Sequence, residues 1–351
     1  MHHSQMKSEV RQLIADGTVL PAHPLALDAD RGLDTVHQRA LTRYYIDAGA
    51  GGLAVGVHTT QFAIREVGLY RPVLELAAET AANWTRRPLA LVAGLVGPTA
   101  QAVAEAKIAR GIGYHAGLLS LAAMQATSED DIIAHCEAVA REIPLVGFYL
   151  QPAVGGVILS AEFWRLFAAI DNVIAIKIAP FNRYRTLDVL RGVSAAGALD
   201  RVALYTGNDD HILLDLLLPF DLRDQGVTTR AYFRGGLLGH WSVWTATAIR
   251  QFEMCRAARG KDTLPADLLA LDARVTDCNS AFFDVANNFH GCIAGCHEVL
   301  RRQGLMRGIW CLDPAEGLSP GQMREIDRVC REHADLGDNA FVAAHLQKWL
   351  A

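Results

Sequence analysis

No run of this chain approaches the roughly 18 consecutive apolar residues that a membrane-spanning helix requires. The first residues, through Met6 and Lys7, are polar and hold no apolar signal core, so the expected location is the cytoplasm and no membrane partner is expected. Basic clusters are missing too. The 33 lysines and arginines are scattered among 38 acidic residues, giving a formal net charge of −5, which argues against nucleic acid as the main partner. The seven cysteines are an odd number in a long chain without a secretion signal, and they read as reduced thiols. Cys292 and Cys296 stand one helical turn apart between His290 and His297, but the second ligand pair that a metal site needs is not there, so no metal is assigned.

What the chain does have is core. Hydrophobic residues make up 51% of its 351 positions and charged residues 20%, as in an ordinary globular protein with a large interior. A short amphipathic helix over 7–16 leads to a first strand near Thr18. Helix 34–48, with Asp34 as its N-cap, precedes a strand ending at Val57, and helix 66–83 precedes a third strand over 89–94. Helix 99–110, strand 116–121 and helix 129–141, capped by Ser128, continue the alternation. Two further strands lie between Leu145 and Pro180, separated by a helix over 159–171. A seventh strand spans 202–206, and an eighth is placed in 233–242 after a long connection from Pro219 to Arg234. Eight strands separated by helices predict a (β/α)8 barrel over residues 1–243, with additional C-terminal helices over 244–351 packed on it.

Residues 145–180 carry the clearest chemical signal. Side chains alternate along a strand, so Leu145, Gly147 and Tyr149 share one face, as do Val173, Ala175 and Lys177 on the next strand. Tyr149 and Lys177 are the last members of those faces, at the carboxyl ends where barrels build their active sites. Lys177 has no acidic neighbour between Asn172 and Asp188, and Asp171 lies about 20 Å back along an extended strand. A salt-bridged core lysine is the alternative. Burial without a partner lowers a lysine pKa toward neutrality, and a neutral amine adds to carbonyls. The pattern therefore points to a Schiff-base lysine.

The order of motifs resembles the dihydrodipicolinate synthase and N-acetylneuraminate lyase family of class I aldolases. The resemblance covers about residues 18–300. It rests on Gly56 to Phe62 after strand two, Tyr149-Leu150-Gln151-Pro152 after strand five, Ile176-Lys177 in strand six, and Gly207-Asn208-Asp209-Asp210 after strand seven. It implies that Lys177 forms the Schiff base, that Tyr149 relays protons beside it, and that Thr59 and Thr60 hold a 2-oxo acid carboxylate. It also implies a homo-oligomer, a dimer or tetramer, and no cofactor.

Several positions depart from the family pattern. The family's Gly-Thr-Thr-Gly-Glu is here Val57-His58-Thr59-Thr60-Gln61, its Pro-Tyr-Tyr after strand four is Leu121-Ala122-Ala123-Met124, and the arginine after the strand-five motif is Val154. Dihydrodipicolinate synthase itself is therefore disfavoured. His58 is a candidate general acid or base, or a hydrogen-bonded structural histidine. Asn182, Gly207, Asn208 and Asp209 are candidate substrate contacts, with helix capping the alternative for Asp209. His240 and Trp241 either wall the pocket or belong to the core.

The expected function is a Schiff-base lyase or aldolase acting on a small 2-oxo acid. The alternatives are a dehydratase of a deoxy-keto sugar acid, a catalytically decayed binding protein, and a metal-dependent barrel using His58, Asp209 and His240.

Overall fold

The computed structural model describes residues 1–224 and 226–351. Its large sheet contains β1 (Val19–Pro21), β2 (Gly52–Val55), β3 (Ala90–Leu95), β4 (Ala116–Leu119), β5 (Leu145–Leu150), β6 (Val173–Ala179) and β7 (Ala203–Thr206). A hairpin of β8 (Phe220–Asp224) and β9 (Val227–Ala231) follows, and β10 (Gly235–Leu238) completes the sheet. All large-sheet pairings are parallel, in the order β1-β10-β7-β6-β5-β4-β3-β2. A parallel bridge between Ala22 and Ala54, with the His23 amide donating to the Ala54 carbonyl at 2.8 Å, draws β1 against β2 and closes the ring. The expected (β/α)8 barrel is the fold.

The helices are α1 (Ser8–Asp16), α2 (Thr35–Ala48), α3 (Tyr70–Trp84), α4 (Thr99–Ile112), α5 (Glu129–Ala140), α6 (Ala161–Ala169), α7 (Arg183–Ala195) and α8 (Ile212–Leu217). After β10 come α9 (Thr245–Ala258), which packs between α8 and α2 and completes the helical ring, and then α10 (Ala266–Phe282), α11 (Cys292–Arg302), α12 (Gln322–Glu332) and α13 (Asn339–Leu350). The expected caps are in place. Asp34 accepts the His37 amide and Ser128 accepts the Asp131 amide, each meeting a donor that the helix cannot satisfy itself.

The strands are buried on both faces and sort into two apolar layers. Leu20, Ala54, Val92, Leu118, Val146 and Phe148 belong to the inner cluster, which α1 plugs from the amino-terminal end with Val10 and Ile14. Tyr205 fastens that plug by donating to the Ile14 carbonyl at 2.9 Å. The second cluster lies between the sheet and its helices. The C-terminal helices join it: Tyr44 donates to Asp338 at 2.7 Å, and the Trp349 indole donates to Asp47 at 2.9 Å.

The stretch from Pro219 to Arg234 is not the plain connection that the sequence suggests. Its centre folds as the antiparallel ribbon β8–β9, with Phe220 opposite Ala231, anchored where Phe220 packs edge-on against Phe233 and where Leu222 is buried in the outer cluster. Exposed polar residues along β9 hide a strand from any reading based on apolar runs.

Candidate active site

A chamber opens at the carboxyl ends of the barrel strands. Lys177 projects into it from β6 and is only 8% exposed. Its register neighbours are Phe148 on β5 and Tyr205 on β7. The Lys177 Nζ stands 4.4 Å from the centre of the Phe148 ring. Burial lowers the Lys177 pKa, the larger effect, while the Asp209 carboxylate opposes it. The acid absent from the local sequence is thus supplied by the turn after β7.

Asp209 is fixed by accepting the His240 backbone amide at 2.9 Å. Burial raises its pKa, and Lys177 pulls it back. Lysine and aspartate therefore titrate as a pair, each favouring the other's charged form. His58 also lines the chamber, and burial, then the Lys177 charge, lowers its pKa to about 4. Its imidazole is neutral at physiological pH and can accept or relay a proton.

Gly207 makes room for the lysine. A Cβ there would lie 2.6 Å from Lys177 Cε and 2.7 Å from Ala179 Cβ. The Gly207→Ala methyl presses on the rigid Ala179 Cβ as well as on the flexible lysine, so the variant should lose about 1–3 kcal/mol of stability and about 10- to 100-fold in Schiff-base formation rate as the amine is displaced. Circular dichroism and the rate of borohydride inactivation with pyruvate check both halves.

Tyr149 requires a correction. Its ring belongs to the outer cluster, 5.1 Å from the Trp164 ring, and its hydroxyl meets the Leu159 backbone at 3.3 and 3.4 Å. The face-sharing of Leu145, Gly147 and Tyr149 holds, but that face points outward. A β-bulge explains the error. Leu145 pairs with Val173 while the next residue, Val146, pairs with Ala175, so the extra residue Ile174 flips the later part of β6. Val173 belongs to the outer cluster, whereas Ala175 joins the inner one with Phe148, and Lys177 enters the chamber. The proton relay assigned to Tyr149 is thus not available to it. Tyr149→Phe should leave turnover within about threefold of the parent and cost about 1 kcal/mol of stability through the lost hydrogen bonds. Steady-state rates and urea melts test this.

Other expected contacts divide. Thr59 lines the chamber, with its hydroxyl only loosely engaged, 3.4 Å from the His23 carbonyl. Thr60 does not serve the chamber. Its hydroxyl donates to the His23 carbonyl at 2.6 Å and accepts the Gly56 amide at 2.9 Å, which holds the turn's shape. Asn182 caps α7 by accepting the Tyr184 and Arg185 amides, and is corrected from substrate contact to cap. Asn208 is likewise structural, since it accepts the Phe181 amide and donates to Asp215 at 2.9 Å. Arg183 pairs with the same fully buried Asp215. His240 serves Asp209 through its backbone while its ring stacks on Phe282, and Trp241 packs in the core against Phe252.

The sequence reading missed Phe148, Phe181, Phe283, Phe289 and Cys292, all of which line the chamber. Phe148 was one alternation away from being found. The last three arrive from the α10–α11 region, about a hundred residues after Lys177, and no local pattern marks them. Burial pushes the Cys292 thiol well up, so it stays protonated.

This architecture defines a parallel barrel with a desolvated amine at the carboxyl end of its sixth strand. Within that class, the chain belongs to the dihydrodipicolinate synthetase family, whose model matches residues 17–221, more than half of the chain. It is 27% identical over 282 residues to a 4-hydroxy-tetrahydrodipicolinate synthase of Azoarcus sp. (strain BH72), covering 80% of this chain and 85% of the synthase. It is 24% identical over 313 residues to N-acetylneuraminate lyase 2 of Escherichia coli O6:H1, covering 88% and 90% of the two chains. The dihydrodipicolinate synthase of Acinetobacter baumannii, solved with pyruvate, superimposes with a TM-score of 0.72 over 91% of this chain and 99% of its own, at 18% identity, a likeness of fold. Members of the family are Schiff-base lyases that act on pyruvate.

Proposed function

We propose that this protein is a Schiff-base aldolase that cleaves or forms a 2-oxo acid and is not dihydrodipicolinate synthase itself. The observation that carries the reading is Lys177, a desolvated amine in a chamber otherwise walled largely by apolar groups. In the cleavage direction the neutral amine adds to the C2 carbonyl and water leaves, giving an iminium. The Asp209 carboxylate takes the proton of the C4 hydroxyl, the C3–C4 bond breaks, and its electrons pass to the iminium, giving an enamine and an aldehyde. The enamine carbon takes a proton back from Asp209, and water then hydrolyses the iminium to free the product and the lysine. Asp209 thereby fills the role that the outward-facing Tyr149 cannot, with the Thr59 hydroxyl free to turn toward the substrate carboxylate.

Borohydride reduction in the presence of pyruvate is expected to leave one reduced pyruvyl group on the Lys177 peptide. Exchange of the pyruvate methyl protons for deuterium, followed by NMR, is expected to separate a working enamine former from a decayed binding protein. An adduct on no lysine, or on another lysine, would sink the proposal.

A further inference from the structure

The chamber is chemically lopsided. Asp209, His58 and the Cys292 thiol are close enough to Lys177 for its charge to act on them or theirs on it, and Thr59 follows His58 in the turn after β2. Most of the other lining residues are apolar, Phe181, Phe283, Phe289, Leu150 and Val154 among them, and Gln151 adds one amide. The three phenylalanines come from separate places: the loop between β6 and α7, the end of α10, and the connection to α11. Two of them sit on backbone that bulky residues rarely adopt, Phe181 at φ +47° and Phe289 at φ +66°. Strain of this kind persists only where surrounding contacts enforce it, and it gathers at ligand sites.

The enforcing contacts are present. Asn208 accepts the Phe181 amide at 3.1 Å, and the Phe289 amide donates to the Asp284 carbonyl at 3.0 Å. Asp284 is itself buried and accepts the Gly291 amide at 2.9 Å and the Ser319 hydroxyl. Phe181 and Phe289 then meet edge to face with centroids 5.9 Å apart. Phe283 rises over Gly239, where a Cβ would lie 2.7 Å from its ring. Among the described residues, no arginine and no second lysine lines the chamber.

We infer that the aldehyde half of the substrate is apolar, an aryl or bulky alkyl group, so that the reaction is reversible cleavage of a 4-hydroxy-4-aryl-2-oxobutanoate to pyruvate and an aryl aldehyde. This rests on the Schiff-base reading above and follows its bond and proton steps. A polyhydroxylated sugar tail would bring several hydroxyls against a wall with few partners, leaving them desolvated and unpaired. A second carboxylate or a phosphate would meet no cation there. An aromatic ring instead finds offset and edge-to-face partners in Phe181, Phe283 and Phe289.

The test compares kcat/KM of the full chain for 4-hydroxy-4-phenyl-2-oxobutanoate and for a 2-keto-3-deoxy sugar acid, with pyruvate borohydride trapping run in parallel. The aryl substrate is expected to be favoured by at least tenfold. Phe289→Asn keeps a residue tolerant of positive φ while removing the ring, and it should cut that preference at least tenfold through a higher KM for the aryl substrate. Equal or better use of the sugar acid, with pyruvate still trapped on Lys177, overturns the apolar assignment and leaves the lyase standing. Absence of the pyruvate adduct overturns the lyase reading itself. An aryl preference that survives Phe289→Asn undiminished overturns the role given to the aromatic wall.

Discussion

Replacing Lys177 with methionine is expected to eliminate pyruvate trapping and to lower turnover by at least about 10³-fold, since no other group in the chamber can form the iminium. The variant should fold. Methionine matches the length of the lysine stem, and the site is a buried pocket beside Phe148 in which an amine is the costly occupant. Removing the desolvated amine stabilises the fold while the buried Asp209 loses its counter-charge, so the two effects oppose each other and the net change at pH 7 is expected to stay within about 2 kcal/mol.

The pH dependence has a definite sign. The folded-state pKa of Lys177 is lowered to about 8, below the unfolded value, so the unfolded chain binds more protons between the two. The stability associated with this residue is present above the unfolded pKa and is lost as pH falls through the folded one. The stability of Lys177→Met relative to the parent should therefore be lowest near pH 10 and rise toward pH 7. Urea denaturation at both values measures it, and an adduct that persists in the variant would refute the assignment.

The second large effect is expected from Asp209→Asn. The amide oxygen still accepts the His240 backbone donor, so the turn after β7 should keep its form. Turnover, however, should fall about 10²- to 10³-fold, because the group that takes and returns the proton is gone. Removing the carboxylate also removes the charge that holds the Lys177 pKa up. The amine then loses its proton at lower pH, and the acid limb of pyruvate trapping should move to lower pH. Faster trapping in mild acid combined with collapsed turnover is a pattern that mere loss of packing does not produce. A kcat within threefold of the parent, or an acid limb that moves upward, would remove Asp209 from the mechanism.

Some features were legible because they depend on near neighbours in the chain. Short β-branched runs ended by glycine or proline marked the eight barrel strands, and Asp34 and Ser128 marked helix starts. Lys177 stood out because an apolar run of seven residues contains one amine and no acid. Gly207 and Asp209 were found at the end of the seventh strand, where both line the chamber and the glycine also clears space for the lysine.

The failures have two causes. Strict alternation assigns residues to two faces but does not say which face is inside, and one bulge at Ile174 changes the answer for everything after it. The bulge turned Lys177 inward, while Tyr149 on the regular strand β5 stayed on the outer face and Phe148 on the inner one. Thr60, Asn182 and Asn208 carry polar groups suited to substrate, but each is already committed to backbone or to Asp215, and only the three-dimensional arrangement reveals that commitment.

The sequence alone thus determined the barrel, its helix starts and the presence of an unpartnered amine at the end of the sixth strand, because periodicity, propensity and local charge are short-range properties. The tertiary structure decided which acid faces that amine, which aromatic ring lies beside it, and which residues from the C-terminal helices wall the chamber. Those are contacts between segments far apart in the chain, set by strand register and helix docking, and no local pattern encodes them.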